Sequence, residues 1–274
     1  MESLKKLRIF NGNTLKILAA IFMFLDHLGF IFFQLGTPAN TWLRGFGRLS
    51  MPLFAFMIAE GCRYTKNKVK HFFLLFGLGV GCQIVYMIFD PSQTYLGILL
   101  TFSISTLIIY AMQFAKKCFF PAPQEYSQNE AYEQTPTTAY NRLALKAASL
   151  LLVFSLIVLA FTLCHYVTVD YGFWGIMMPV FASIFDFHRI HAPDKLKRLD
   201  CLPVRILCMM LMEIMLIVTY VVPNFQLPSL LAFLLLFLYN GKKGKANLKY
   251  FFYVFYPLHL GLLQGVAMLL FELL

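Results

Sequence analysis

Stretches of about twenty apolar residues recur along this 274-residue chain, each long enough to cross roughly 30 Å of hydrocarbon as a helix. A backbone in hydrocarbon must satisfy its own N–H and C=O groups, so such runs restrict the chain to a bundle of helices. With 59% hydrophobic and only 13% charged residues, the sequence is too apolar for an ordinary soluble domain. The expected fold class is all-α, a polytopic membrane helix bundle. Its spans are read as 14–35, 49–62, 71–89, 96–115, 147–166, 171–187, 206–222, 228–240 and 250–272. That makes about nine transmembrane helices with the N-terminus cytoplasmic, eight or ten being the alternatives. Spans 49–62 and 228–240 are short enough to be re-entrant or tilted segments. The first span is too long and too interrupted by polar groups for a cleaved signal peptide and is read as retained.

A single integral membrane domain, 1–274, is expected, with a four-span part over 14–115, a cytoplasmic linker over 116–146 and a five-span part over 147–272. Gln, Thr, Tyr and Pro enrich the linker KKCFFPAPQEYSQNEAYEQTPTTAYNR and mark it as a flexible connector. The outer connections DPSQTY, VTVDYG and PNFQLP are short and carry neither Lys nor Arg. No internal repeat is visible, which weighs against an inverted-repeat transporter. GLGVG places Gly77 and Gly81 at the spacing of a helix-packing motif.

The net charge of +10 could suggest a nucleic-acid partner, but the positions of the cations argue otherwise. A cytoplasmic N-terminus puts 21 of the 23 Lys and Arg residues on the inner side, as the positive-inside rule requires. The excess charge is therefore topological, with some attraction to anionic membrane lipid. The chain is expected in the cell membrane as a multi-pass protein. Arg44 and Arg48 are the exceptions. The six cysteines form no CxxC pair, so neither disulfides nor a zinc site is indicated. His188 and His191 in FHRIHAPDK lack a carboxylate or cysteine at ligand spacing, and no metal is expected.

Three constellations could carry chemistry. In FMFLDHLGF, Asp26 and His27 stand in the middle of an apolar helix; ionisable groups so placed usually face a cavity or a partner. Adjacent helical residues point about 100° apart, so their partners should come from other helices. Lys16 lies eleven residues before His27, on the same face with about 16 Å of rise between them. That stripe suits a long anionic ligand entering from the cytosol. The alternative is a capped helix start and a hydrogen-bonded structural histidine.

The second constellation is LRGFGRLSMPLFAFMIAEGCRYT, residues 43–65. Arg44 and Arg48 share a face as a two-pronged grip for a carboxylate or phosphate, and Ser50 is placed to cap the following helix. Glu60 falls towards the opposite end of this short span. An interfacial arginine pair snorkelling to head groups is the alternative. The third is FFYVFYPLHLGLLQG, residues 251–265, where Tyr256 and His259 flank Pro257; the proline frees a backbone carbonyl and makes a plausible pocket wall. Glu213, and Asp170 with Tyr171 and Gly172, are weaker candidates.

Taken in order, NTLKILAAIFMFLDHLGF, LRGFGRLSMPLFAFMIAEGCRYT, VDYGFWGIMMP and FYVFYPLHL resemble the TraX family of membrane proteins across nearly the whole chain. The namesake of that family acetylates the N-terminus of conjugative pilin, and the family is similar to the acyltransferase 3 group of integral membrane acyltransferases. That group typically carries a basic residue, usually arginine, eleven positions before a histidine in its first helix, as Lys16 and His27 stand here. Arg44, Arg48 and Pro52 echo its arginine-rich stretch loosely, with a different spacing. The resemblance implies acetyl-CoA as the acyl donor on the cytosolic side, and a peptide N-terminus or surface glycan of the envelope as acceptor. It further implies His27 as general base, with Asp26 holding either a donor from another helix or the acceptor. Lys16, Arg44 and Arg48 would bind the donor or stabilise developing negative charge, and Glu60, Tyr256 and His259 would line the substrate pocket. A transporter relaying protons through Asp26, His27 and Glu60 is the main alternative, and a non-catalytic assembly partner a third.

Overall fold

The computed structural model describes residues 8–89, 95–122, 136–219 and 223–272. Among these residues the chain is helical, with no strand and two isolated β-bridges. In order, the helices are α1 (Gly12–Phe32), α2 (Pro38–Gly47), α3 (Ser50–Tyr64), α4 (Lys68–Phe89), α5 (Ile98–Phe119), α6 (Pro136–Tyr166) and α7 (Gly172–Ala182). They continue with α8 (Asp194–Lys197), α9 (Leu202–Thr219), α10 (Pro223–Gln226), a 3-10 turn at Leu227–Leu230, α11 (Leu231–Phe237) and α12 (Lys249–Glu272). Six of them, α1, α4, α5, α6, α9 and α12, are long and apolar enough to cross a membrane. The fold is a helical membrane bundle.

The expected count of nine spans is corrected by three segments. Helix α3 has 15 residues and α7 has 11, and the third is the short apolar stretch Leu227–Phe237. Helices α3 and α7 are apolar because protein surrounds them, with Leu53, Phe56, Ile176 and Met178 buried in the main core. Leu227–Phe237, by contrast, buries Phe233 and Leu236 on one side, leaves Leu227, Leu231 and Leu234 exposed on the other, and is too short to span. Lipid-facing and protein-facing helices need the same apolar side chains, so hydropathy alone overcounts spans. The ends of the expected linker are also helical: α5 runs through Lys116 to Phe119 and α6 begins at Pro136. Residues 123–135 of that linker, residues 90–94 of the first outer connection and residues 220–222 at the end of span 206–222 lie outside the described residues.

Polar contacts gather many of the cations at one end of the bundle. Arg63 pairs with Asp186 at 3.0 Å and with Asp200 at 2.5 Å. Lys116 donates to the carbonyls of Ser183 and Asp186, both at 2.9 Å. Arg205 pairs with Glu60 at 2.5 Å. At this end the start of α1 is strapped to the segment before α12. Gly12 and Asn13 donate backbone hydrogen bonds to the carbonyls of Lys242 and Lys243, and the Asn13 side chain donates to Ala246. At the other end, Leu96 and Val169 form a bridge that ties the start of α5 to the loop before α7.

The contact between α1 and α2 positions the residues of interest. Thr37 caps α2 and Pro38 starts it, a favourable opening. A Cβ on Gly47 would lie 2.3 Å from Asp26 Cβ, and one on Gly29 would lie 2.9 Å from Arg44 Cγ. The two glycines thus let the helices meet backbone to side chain, as small residues do in membrane bundles. Gly77 and Gly81 do not behave this way. A Cβ at either would meet nothing within 4 Å, whereas Gly79 between them packs on Leu100. Gly47→Ala is expected to cost about 1–3 kcal/mol through overpacking, seen as a lower thermal midpoint in detergent, with Gly77→Ala at or above the wild-type midpoint. Equal midpoints for the two variants would show that the α1–α2 contact is slack.

Candidate functional site

A cavity of about 280 Å³ lies between α1, α2, α4 and α12 and the start of α7. Asp26, His27, Arg44, Arg48, Tyr256 and His259 all line it. Residues from three separate sequence constellations therefore meet at one place.

Asp26 and His27 leave α1 in different directions, yet both reach this cavity. Arg48 Nη2 contacts both Asp26 carboxylate oxygens at 2.5 Å, and Arg44 Nε lies 3.7 Å from Oδ1. The arginines are interior rather than snorkelling: the Arg48 side chain is 5% exposed and that of Arg44 16%. Aromatic faces complete their setting. The Arg44 guanidinium sits 4.5 Å from the Phe225 ring centroid and 5.0 Å from that of Phe30, and Arg48 sits 4.9 Å from Phe225. A planar, weakly hydrated guanidinium suits such packing. Because Arg48 follows the last residue of α2, the close approach at Gly47 sets its reach to Asp26.

Hydrogen bonds place a proton on Nδ1 of both imidazoles. His27 Nδ1 lies 2.9 Å from the Met23 carbonyl and Nε2 lies 3.1 Å from the Tyr86 hydroxyl. A carbonyl only accepts, so Nδ1 carries a proton, and in the neutral ring Nε2 offers a lone pair that accepts from Tyr86. His259 repeats the pattern: its Nδ1 donates to the Phe255 carbonyl at 2.8 Å, leaving a lone pair on Nε2. The two rings lie edge to face with centroids 5.2 Å apart, and His259 also stacks on Phe255 at 4.8 Å.

The wall towards α7 holds Asp170 and Tyr171. Tyr171 adopts φ 60°, and a Cβ on Gly175 would come within 2.6 Å of Tyr171 Cβ. Gly175 therefore allows this left-handed turn to close over the cavity. Burial pushes the Asp170 carboxyl up to about 7, with Arg48 opposing the shift.

The sequence matches the TraX family, described as TraX protein, over residues 11–267. The chain belongs to the TraX family. It is also 28% identical over 272 residues to the "Probable fimbrial assembly protein FimC, serogroup H1" of Dichelobacter nodosus, covering 95% of this chain and 97% of that protein. No solved structure matches it.

Not every expected site residue of this TraX protein reaches the cavity. Lys16 shares a helix with His27 but lies at the cation-rich end, close enough to Lys243 and His71 for their charges to interact. Glu60 lies at that end too, paired with Arg205 and accepting from the Tyr239 hydroxyl at 3.0 Å. The structure thus does not bring Glu60 together with Asp26 and His27, as a three-carrier proton relay requires. Ser50 lines the cavity but makes no capping hydrogen bond, because Leu49 occupies the cap position of α3. Glu213 is fully buried and accepts from Gln226 and Ser229, a local network behind the arginines.

Two contributors from α4 were not read from the sequence. Tyr86 holds His27, and Gln83 fixes the segment before α5 by donating to the Tyr95 carbonyl and accepting from Gly97 N–H, each at 3.0 Å. Their signal was a Gln and a Tyr three apart in GCQIVYM, hence on one helical face.

Proposed function

We propose that this TraX protein is a multi-pass acyltransferase of the cell membrane. In this reading acetyl-CoA supplies the acyl group from the cytosolic side, taken to be the cation-rich end, and an amine or hydroxyl of an envelope acceptor receives it. The acceptor is a pilin-like peptide N-terminus or a surface glycan; the fimbrial-assembly name of the Dichelobacter relative favours the former. One observation supports the reading most strongly: His27, whose Nε2 faces the Tyr86 hydroxyl, and an Asp26–Arg48 pair line one cavity although they come from different helices.

The residues divide the work as follows. His27 is the general base, receiving the acceptor's proton at Nε2 through the Tyr86 hydroxyl. Arg44 and Arg48, held by Asp26, face the developing negative charge on the thioester carbonyl oxygen. A volume of about 280 Å³ is below that of most pockets for whole ligands. It suits the acyl end of the donor and the acceptor's nucleophile, with the rest of the carrier outside. Lys16 belongs to the cation-rich end and is assigned to the carrier's anionic part there.

The test uses purified protein in detergent, radiolabelled acetyl-CoA and a synthetic pilin N-terminal peptide or an oligosaccharide acceptor. Label in an acceptor, dependent on the protein, is the expected outcome. Solute flux in liposomes without any acyl donor, and no label in any acceptor, would favour a carrier instead.

A further inference from the structure

His259 makes the same Nδ1 bond as His27, but its Nε2 is buried with no hydrogen-bond partner, and the residue is 4% exposed. A buried acceptor without a donor is costly, so such an atom at a cavity wall marks where a donor group docks. The orphaned lone pair sits on a ring 5.2 Å, centroid to centroid, from His27, whose own Nε2 is already engaged by Tyr86. In their neutral forms the two imidazoles of the cavity offer separate proton capacity.

Resting on the acyl-transfer reading, we propose that His259 is a second catalytic base, which receives the proton of an incoming ammonium and so frees the acceptor amine for attack. Two protons leave the nitrogen in such a reaction. The first passes from R–NH3⁺ to His259 Nε2, leaving R–NH2 with its lone pair. The second leaves as the N–C bond forms and passes through Tyr86 to His27. The C–S bond breaks, the electron pair departs on the thiolate, and one of the two imidazolium protons converts it to the thiol. The other is lost to solvent, which returns both rings to their neutral state. His27 alone would suffice for an acceptor that arrives unprotonated.

The experiment compares wild type, His259→Ala and His27→Ala on two peptides that differ only at the terminal nitrogen, one an amine and the other an aminooxy group, which is unprotonated at neutral pH. His259→Ala is expected to lose on the order of 10² to 10⁴ in rate on the amine and far less on the aminooxy peptide. His27→Ala is expected to fall on both. Added imidazole should restore part of the His259→Ala rate on the amine, by filling the space the side chain leaves. An unchanged rate for His259→Ala on the amine, or an equal loss on both peptides without rescue by imidazole, would overturn the assignment. An unchanged thermal midpoint separates lost catalysis from lost fold. Transfer to neither peptide by the wild type would overturn the acyl-transfer reading and this role together.

Discussion

Arg48→Met is expected to lower the stability of the protein by about 3–5 kcal/mol, because it strands a mostly buried carboxylate whose two oxygens both contact Arg48 Nη2. Arg44 remains 3.7 Å from Asp26 and keeps the loss towards the lower figure. The double variant Asp26→Asn with Arg48→Met should recover much of it, since replacing both members of a buried pair costs far less than removing one. A double-mutant cycle on unfolding in mixed micelles reads the coupling directly. Additive effects, with no recovery in the double variant, would show that the two side chains do not depend on each other. The same pair aims the guanidinium groups, so Arg48→Lys should preserve more stability than Arg48→Met and still impair transfer, a point charge replacing a planar fork.

The residues of this pair were legible one by one. Asp26 and His27 stood out because ionisable groups in an apolar helix are expensive, and Arg44 and Arg48 because they break the charge asymmetry of the loops. Their pairing was not legible. It depends on the tertiary approach at Gly29 and Gly47, and nothing in the local sequence distinguishes those glycines from Gly77 and Gly81, where an added Cβ would meet nothing within 4 Å. Lys16 shows the complementary failure. Helical periodicity places it correctly on the His27 stripe, but three turns carry it to the other end of the bundle, and spacing alone does not say how far the cavity extends.

The fold was legible in class and overcounted in spans. Stretches such as GFWGIMMPVFA of α7 are as apolar as a lipid-facing helix because they are wrapped by protein, and hydropathy records apolarity without its cause. Tyr86 escaped notice for a related reason. A single tyrosine in an apolar helix is ordinary, and only the 3.1 Å contact with His27 gives it a role.

His27 carries the second large effect. Its removal is expected to reduce acyl transfer by 10² to 10⁴, the usual range for a lost general base, without a matching loss of fold. The His27 hydrogen bonds are to one carbonyl and one hydroxyl, and Tyr86 can turn towards the cavity when the ring is gone. His27→Gln serves as a second variant, since it keeps a polar group near Tyr86 but cannot take up a proton.

The most direct measurement follows label from acetyl-CoA into a pilin N-terminal peptide, with wild type, His27→Ala and His27→Gln purified side by side and matched for thermal midpoint. Transfer by the wild type and its loss in both folded variants is the predicted result; full transfer by either variant would contradict the account.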